Sequence, residues 1–64
     1  MTLSQEILVF RAKHRLSQQD FADICGLTKM TISGIERGIQ NPKEVTILRI
    51  KYAMNSYEKG RKER

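Results

Sequence analysis

The apolar positions of this chain fall into four groups with helical spacing, separated by short polar or glycine-containing breaks. Ile7, Phe10, Arg11 and His14 lie three and four residues apart and share one face of a first helix. Thr2 followed by Gln5 has the form of a capping box, which opens this helix and carries it through Lys13 or His14. Leu8 and Val9 lie off the stripe and belong either to a wide buried face or to an exposed contact surface. Leu16-Ser17 then resets the pattern. Ser17 caps a second helix with Asp20 as a short acidic partner, and Phe21, Ala22 and Ile24 or Cys25 point inward. Gly26 stops that helix, because glycine enters the left-handed region without a Cβ penalty. After Leu27, Thr28 is a further cap, and residues 29–37 read as a third helix with Ile32 and Ile35 inside and Gly38 closing it.

Ile39 to Asn41 reads as a loop. Asn41-Pro42 has the form of a cap with proline at the first helical position, and Glu44 stands where a capping-box acid belongs. Val45, Ile47, Leu48, Ile50 and Met54 then give a last amphipathic helix ending near Asn55. Glu58 to Arg64 holds no apolar residue and is expected to be a frayed or disordered charged tail. The pattern predicts an all-α bundle of four to five helices, one domain over residues 1–57 followed by a charged tail over residues 58–64.

Size and charge narrow the function. A folded chain of 64 residues buries only roughly 60% of its unfolded surface, which suits a compact bundle better than a catalytic cleft with a lid. Twelve Lys and Arg against seven Asp and Glu give a formal net charge of +5 and a pI near 9.8. That balance points to nucleic acid or an acidic membrane surface. The excess is uneven: residues 1–16 carry +2, residues 17–38 carry −1, residues 39–48 cancel and residues 49–64 carry +4. Charge alone therefore points to the end of the chain. The longest apolar run, Ile7 to Phe10, is too short to span a bilayer. The start lacks the basic residues of a signal peptide, and the tail lacks the apolar face of an interfacial helix. A soluble, cytoplasmic protein with no membrane partner is expected.

One histidine, His14, and one cysteine, Cys25, cannot build a tetrahedral zinc site without many carboxylates. A Cys-His nucleophile pair would need an orienting third group and a cleft. The expectation is no metal, no cofactor, no catalytic residue and no enzyme activity. Cys25 has no partner for an internal disulfide, as suits a reducing compartment.

The stretch from Leu16 to Gly38 is the informative one. Two short helices joined by a glycine-containing three-residue turn form the helix-turn-helix unit, here residues 17–37. In that geometry the second helix enters the major groove, and the first lies across the backbone with its N-terminus near phosphate. Arg11, Leu16-Ser17-Gln18, Phe21-Ala22, Gly26, Thr28, Ile32-Ser33, Ile35-Glu36, Gly38 and Pro42 stand at one shared spacing. In this combination, residues 7–54 strongly resemble the helix-turn-helix domain of phage repressors, Cro proteins and related bacterial regulators.

The resemblance implies that Thr28, Lys29, Met30, Ser33 and Gly34 read bases from the recognition helix. It implies phosphate contacts from Ser17, Gln18, Arg37, Gln40, Asn41 and Lys43, and an internal ion pair between Arg11 and Glu36. A charge on the stripe of Ile7 and Phe10 wants a partner, which agrees with that implied pair without naming Glu36. Two features depart from the family. Gly34 inside the recognition helix costs about 1 kcal/mol relative to alanine, and would let a base edge or thymine methyl approach the backbone. The apolar fifth helix that often supports dimerisation is missing, which leaves Leu8, Val9, Tyr52 and Tyr57 as candidates for contact between copies. The implied function is a cofactor-free transcriptional regulator, a small Cro-like or phage-type repressor bound as a homodimer to a double-stranded DNA operator. The alternatives are an antitoxin-type operon autorepressor, or an antirepressor that keeps the fold without DNA binding. Lys29, Gln18, Arg37 and the net positive charge argue against the last.

Overall fold

The computed structural model describes residues 1–60, which form four helices with no strand among them. In chain order these are α1 (Leu3–His14), α2 (Gln18–Cys25), α3 (Lys29–Glu36) and α4 (Glu44–Gly60).

Local signals start the first three. Thr2 Oγ1 accepts from the Gln5 amide at 3.2 Å, and Gln5 Oε1 accepts in return from the Thr2 amide at 3.0 Å. Ser17 and Asp20 repeat the reciprocal pair at 2.9 and 3.2 Å. Thr28 Oγ1 accepts from the Thr31 amide at 3.2 Å. Each device satisfies amides that a helix leaves orphaned at its first turn.

The same three helices also end alike. Arg15, Gly26 and Gly38 adopt left-handed backbone, with φ of 55°, 72° and 75°. Beyond each, an amide reaches back five residues: Leu16 to Arg11, Leu27 to Ala22 and Ile39 to Gly34, all at 2.9 Å. This closure occupies carbonyls that the helix cannot use itself. Leu16 and Leu27 also pack against the core, whereas Ile39 stays exposed.

The core consists of Ile7 and Phe10 from α1, Phe21, Ala22 and Cys25 from α2, Ile32 and Ile35 from α3, and Ile50 and Ala53 from α4. Phe10 meets Phe21 edge-on with ring centroids 5.6 Å apart. Cys25 is thus the buried member of its pair, and Ile24 lies at the periphery. Leu8 and Val9 are exposed on α1.

The fourth helix departs from the sequence pattern at both ends. Asn41-Pro42 does not cap it; α4 begins at Glu44, with the Lys43 carbonyl accepting from the Ile47 amide at 3.0 Å. The amides of Ile39 and Gln40 both donate to the Gly34 carbonyl, so the chain is still folded back on α3 there. Asn41 to Lys43 are left as the span to α4. At its other end α4 runs past Asn55 to Gly60. Tyr57 sets its ring edge-on against Phe10 at 5.7 Å and His14 at 5.0 Å. Glu58 Oε2 accepts from Lys13 Nζ at 3.0 Å and meets His14 Nε2 at 3.0 Å. Glu58 therefore belongs to the folded unit rather than to a tail, and Tyr57 packs inward rather than facing another copy. The rest of the expected tail, residues 61–64, lies outside the described residues. The inner face of α4 is Ile50, Ala53, Met54 and Tyr57, while Val45, Leu48 and Tyr52 form an outer stripe 60–73% exposed.

Two outcomes follow from this architecture. A non-glycine residue in the left-handed region is strained, so Arg15→Gly should raise stability by up to about 1 kcal/mol, read as a higher midpoint in urea. Hydrogen bonds from His14, and next from Lys13, hold the Glu58 carboxyl below the usual carboxylate range. A lowered folded-state pKa contributes stability above the unfolded value and loses it as pH falls through the folded one. The wild-type chain should therefore melt above Glu58→Gln near neutrality, and the two melting temperatures should converge in acid. A gap that persists below the carboxylate range would mean that Glu58 acts through packing alone.

Candidate nucleic-acid interface

Gly26, Leu27 and Thr28 join α2 to α3 as the expected three-residue turn. Ile32 and Ile35 fasten α3 to the core, which turns its opposite face outward. Met30 is 78% exposed there and Ser33 is half-buried, with Lys29 exposed at the first turn of α3. The Thr28 hydroxyl serves the first turn of α3: besides accepting from the Thr31 amide, it lies 2.9 Å from Thr31 Oγ1. Ser17 does the same for α2, leaving its hydroxyl hydrogen available to a ligand.

The end of α3 is fixed by one carboxylate. Glu36 has a side chain only 6% exposed, and Arg11 Nη1 donates to its two oxygens at 2.9 and 2.8 Å. The Arg11 Nε donates to the Leu16 carbonyl at 3.1 Å, which orients the guanidinium. Gln18 Nε2 donates to Glu36 Oε1 at 2.8 Å, and Ser4 Oγ donates to the Glu36 carbonyl at 2.7 Å. One residue thus holds α1, the start of α2 and the end of α3. Gln18 keeps its second N–H and its own oxygen for other partners.

The Ser4 and Gln18 links are absent from the sequence reading. Ser4 carried a signal, since it precedes Ile7 by three and Arg11 by seven and so shares their face. Gln18 and Glu36 stand eighteen residues apart on different helices, and no local pattern joins them.

Gly34 proves to be covered. A Cβ built there would lie 2.9 Å from Gln40 Cγ and 3.0 Å from Gln40 Cδ. The Gln40 side chain thus lies beside the position where a base edge was expected to approach. Arg37 is exposed at the end of α3, and Asn41 and Lys43 are exposed in the link to α4. The structure therefore gathers Gln18, Gln40 and Arg37 around the C-terminal half of α3, with Lys29 and Met30 at its start. Away from this surface, burial pushes the Cys25 thiol up to about 11, which leaves it inert near neutrality. Among the described residues, no three His, Cys, Asp or Glu side chains gather as a metal site.

The Glu36 network sets a stability expectation. Removing Arg11 strands a carboxylate that is nearly enclosed, while Arg11 itself is 22% exposed. Arg11→Ala and Glu36→Ala should each cost more than the about 0–1 kcal/mol of an exposed pair, approaching the roughly 3–5 kcal/mol of a buried pair broken on one side. Urea unfolding of the two variants checks this. Midpoints matching the wild type would rule out the pair as a clamp.

Residues 7–50 match the family described as helix-turn-helix, a span of more than half the chain. Comparison with curated proteins and with solved structures gives no match. The matched span contains the Arg11–Glu36 pair, both helices of the unit and the turn between them. The chain belongs to the helix-turn-helix family of the phage repressor and Cro type, whose members are DNA-binding regulators of transcription.

Proposed function

We propose that this chain is a small Cro-like or phage-type repressor that inserts α3 into the major groove of a specific operator. The observation that carries the reading is the two-sided character of α3. Its inner face is locked by Ile32, Ile35 and Glu36, and its outer face offers Lys29, Met30 and Ser33. A helix held this firmly can present a fixed set of groups to base edges. Lys29 suits guanine acceptors, and the apolar Met30 suits a thymine methyl. Thr28 begins the same face.

Phosphate contacts come from residues that flank α3: Ser17 and Gln18 at the α2 N-terminus, and Arg37, Asn41 and Lys43 beyond the recognition helix. The amides at the start of α2 add a partial positive charge suited to an anion. One helix touches too few base pairs to find one site among many competitors. Two copies a helical turn apart would solve this and make the operator a pseudo-palindrome. Exposed Leu8, Val9 and Tyr52 supply apolar surface for such a homodimer. The reaction is reversible binding on cytoplasmic DNA, without a cofactor.

Sites selected from random duplexes provide the test. Lys29→Ala and Ser33→Ala should weaken binding to the selected site more than to random duplex, by about 1–3 kcal/mol of discrimination for a good base contact. Gln18→Ala should weaken both equally, because phosphate contacts position without reading sequence. A two-fold symmetric site holding two chains is the expected product of selection. An asymmetric site holding one chain would defeat the dimer. Absence of binding to any duplex at low salt would leave a protein-interaction module instead.

A further inference from the structure

Gly34 is an unfavourable residue for a helix interior, and nothing in its own backbone requires it, since its φ is not in the left-handed region. The neighbour that a side chain here would displace is Gln40. The amides of Ile39 and Gln40 donate to the Gly34 carbonyl at 2.9 and 3.1 Å, which brings the Gln40 backbone against the last turn of α3. The Gln40 side chain then lies across Gly34 so closely that a Cβ would sit 2.9 Å from Cγ, 3.0 Å from Cδ and 3.3 Å from Nε2. Any other residue at this position would push the glutamine away.

The place matters as much as the contact. Met30, Ser33, Gly34 and Arg37 are spaced three, four and seven residues apart, so they form one stripe along α3. Gln40, laid over Gly34, brings a carboxamide from outside the helix to the Gly34 position of that stripe. A glutamine amide carries a donor and an acceptor side by side, the pattern that matches N6 and N7 of adenine in the major groove.

We infer that Gly34 and Gln40 form one specificity-determining unit, in which Gly34 is the seat and the Gln40 carboxamide reads an adenine beside α3. The inference rests on the proposed insertion of α3 into the major groove, and it changes Gln40 from a phosphate contact to a base contact. It also gives Gly34 a positioning role, with no DNA contact of its own.

The experiment uses the full chain and a site selected from random duplexes. Binding is measured to that site, to versions with each A·T pair replaced by G·C, and to random duplex. Gln40→Ala should lose at least about fivefold discrimination at one A·T pair with random-duplex affinity unchanged. Gly34→Ala should lose the same discrimination at the same pair, and the double variant should be no worse than either single one. In thermal melts, Gly34→Ala should stabilise the Gln40→Ala chain, because alanine then replaces a helical glycine without a clash. Equal loss on selected and random duplex, loss at different pairs or additive losses would each overturn the unit. If Gly34→Ala alone unfolds the chain, the exposed substitution Gln40→Ala still decides between base and phosphate. A wild-type chain that selects no site would instead overturn the groove-binding reading beneath it.

Discussion

The Glu36 carboxylate is the polar interaction on which the placement of α3 depends. A charge this enclosed is costly unless donors surround it. Here the donors come from two other helices: Arg11 from α1, with both oxygens engaged, and Gln18 from the first turn of α2. Ser4 of α1 holds the backbone of the same residue. α2 and α3 have eight residues each, too few to persist as isolated helices in water. Their mutual angle is therefore set by the apolar contacts of Phe21, Ala22, Ile32 and Ile35 on one side and by this polar knot on the other.

The arrangement separates two tasks within one helix. Ile32, Ile35 and Glu36 face the protein, while Lys29, Met30 and Ser33 do not contribute to the buried core. Side chains on the outward stripe can differ between related chains at little cost to the fold. Gly34 is the exception, because it touches the outward stripe through Gln40 rather than through a side chain of its own.

Most of this was legible where the signal is local. Thr2 with Gln5, Ser17 with Asp20, Thr28, Gly26 and Gly38 mark helix ends through chemistry confined to a few neighbouring residues, and the structure uses them as the sequence implies. Arg15 was not legible, because its left-handed backbone comes from closure on Arg11 and Ala12 rather than from its residue type. Asn41-Pro42 misled because a cap sequence is a local preference, and the return of Ile39 and Gln40 to Gly34 overrides it. Asn55 looked like a stop because the partners of Tyr57 and Glu58 are Phe10, Lys13 and His14, more than forty residues away. The Arg11–Glu36 pairing was legible only because a recurrent family pattern encodes a distance that periodicity does not. The Gln18 bond to Glu36 had no such guide.

The brevity of α3 carries a consequence for the amount of usable regulator. A long autonomous helix could keep its shape while the rest of a protein loosened, but an eight-residue one exists only while α1 and α2 hold it. Competence to engage DNA and global folding are then a single equilibrium. Because DNA binds only the folded form, the duplex and the unfolded ensemble compete for the same chains by mass action. Warming, or a replacement in the core that unfolds an appreciable fraction of the chains, lowers the concentration of binding-competent protein, and unsaturated sites lose occupancy with it. Stability is in this sense a rheostat on the regulator, adjustable at positions within the core.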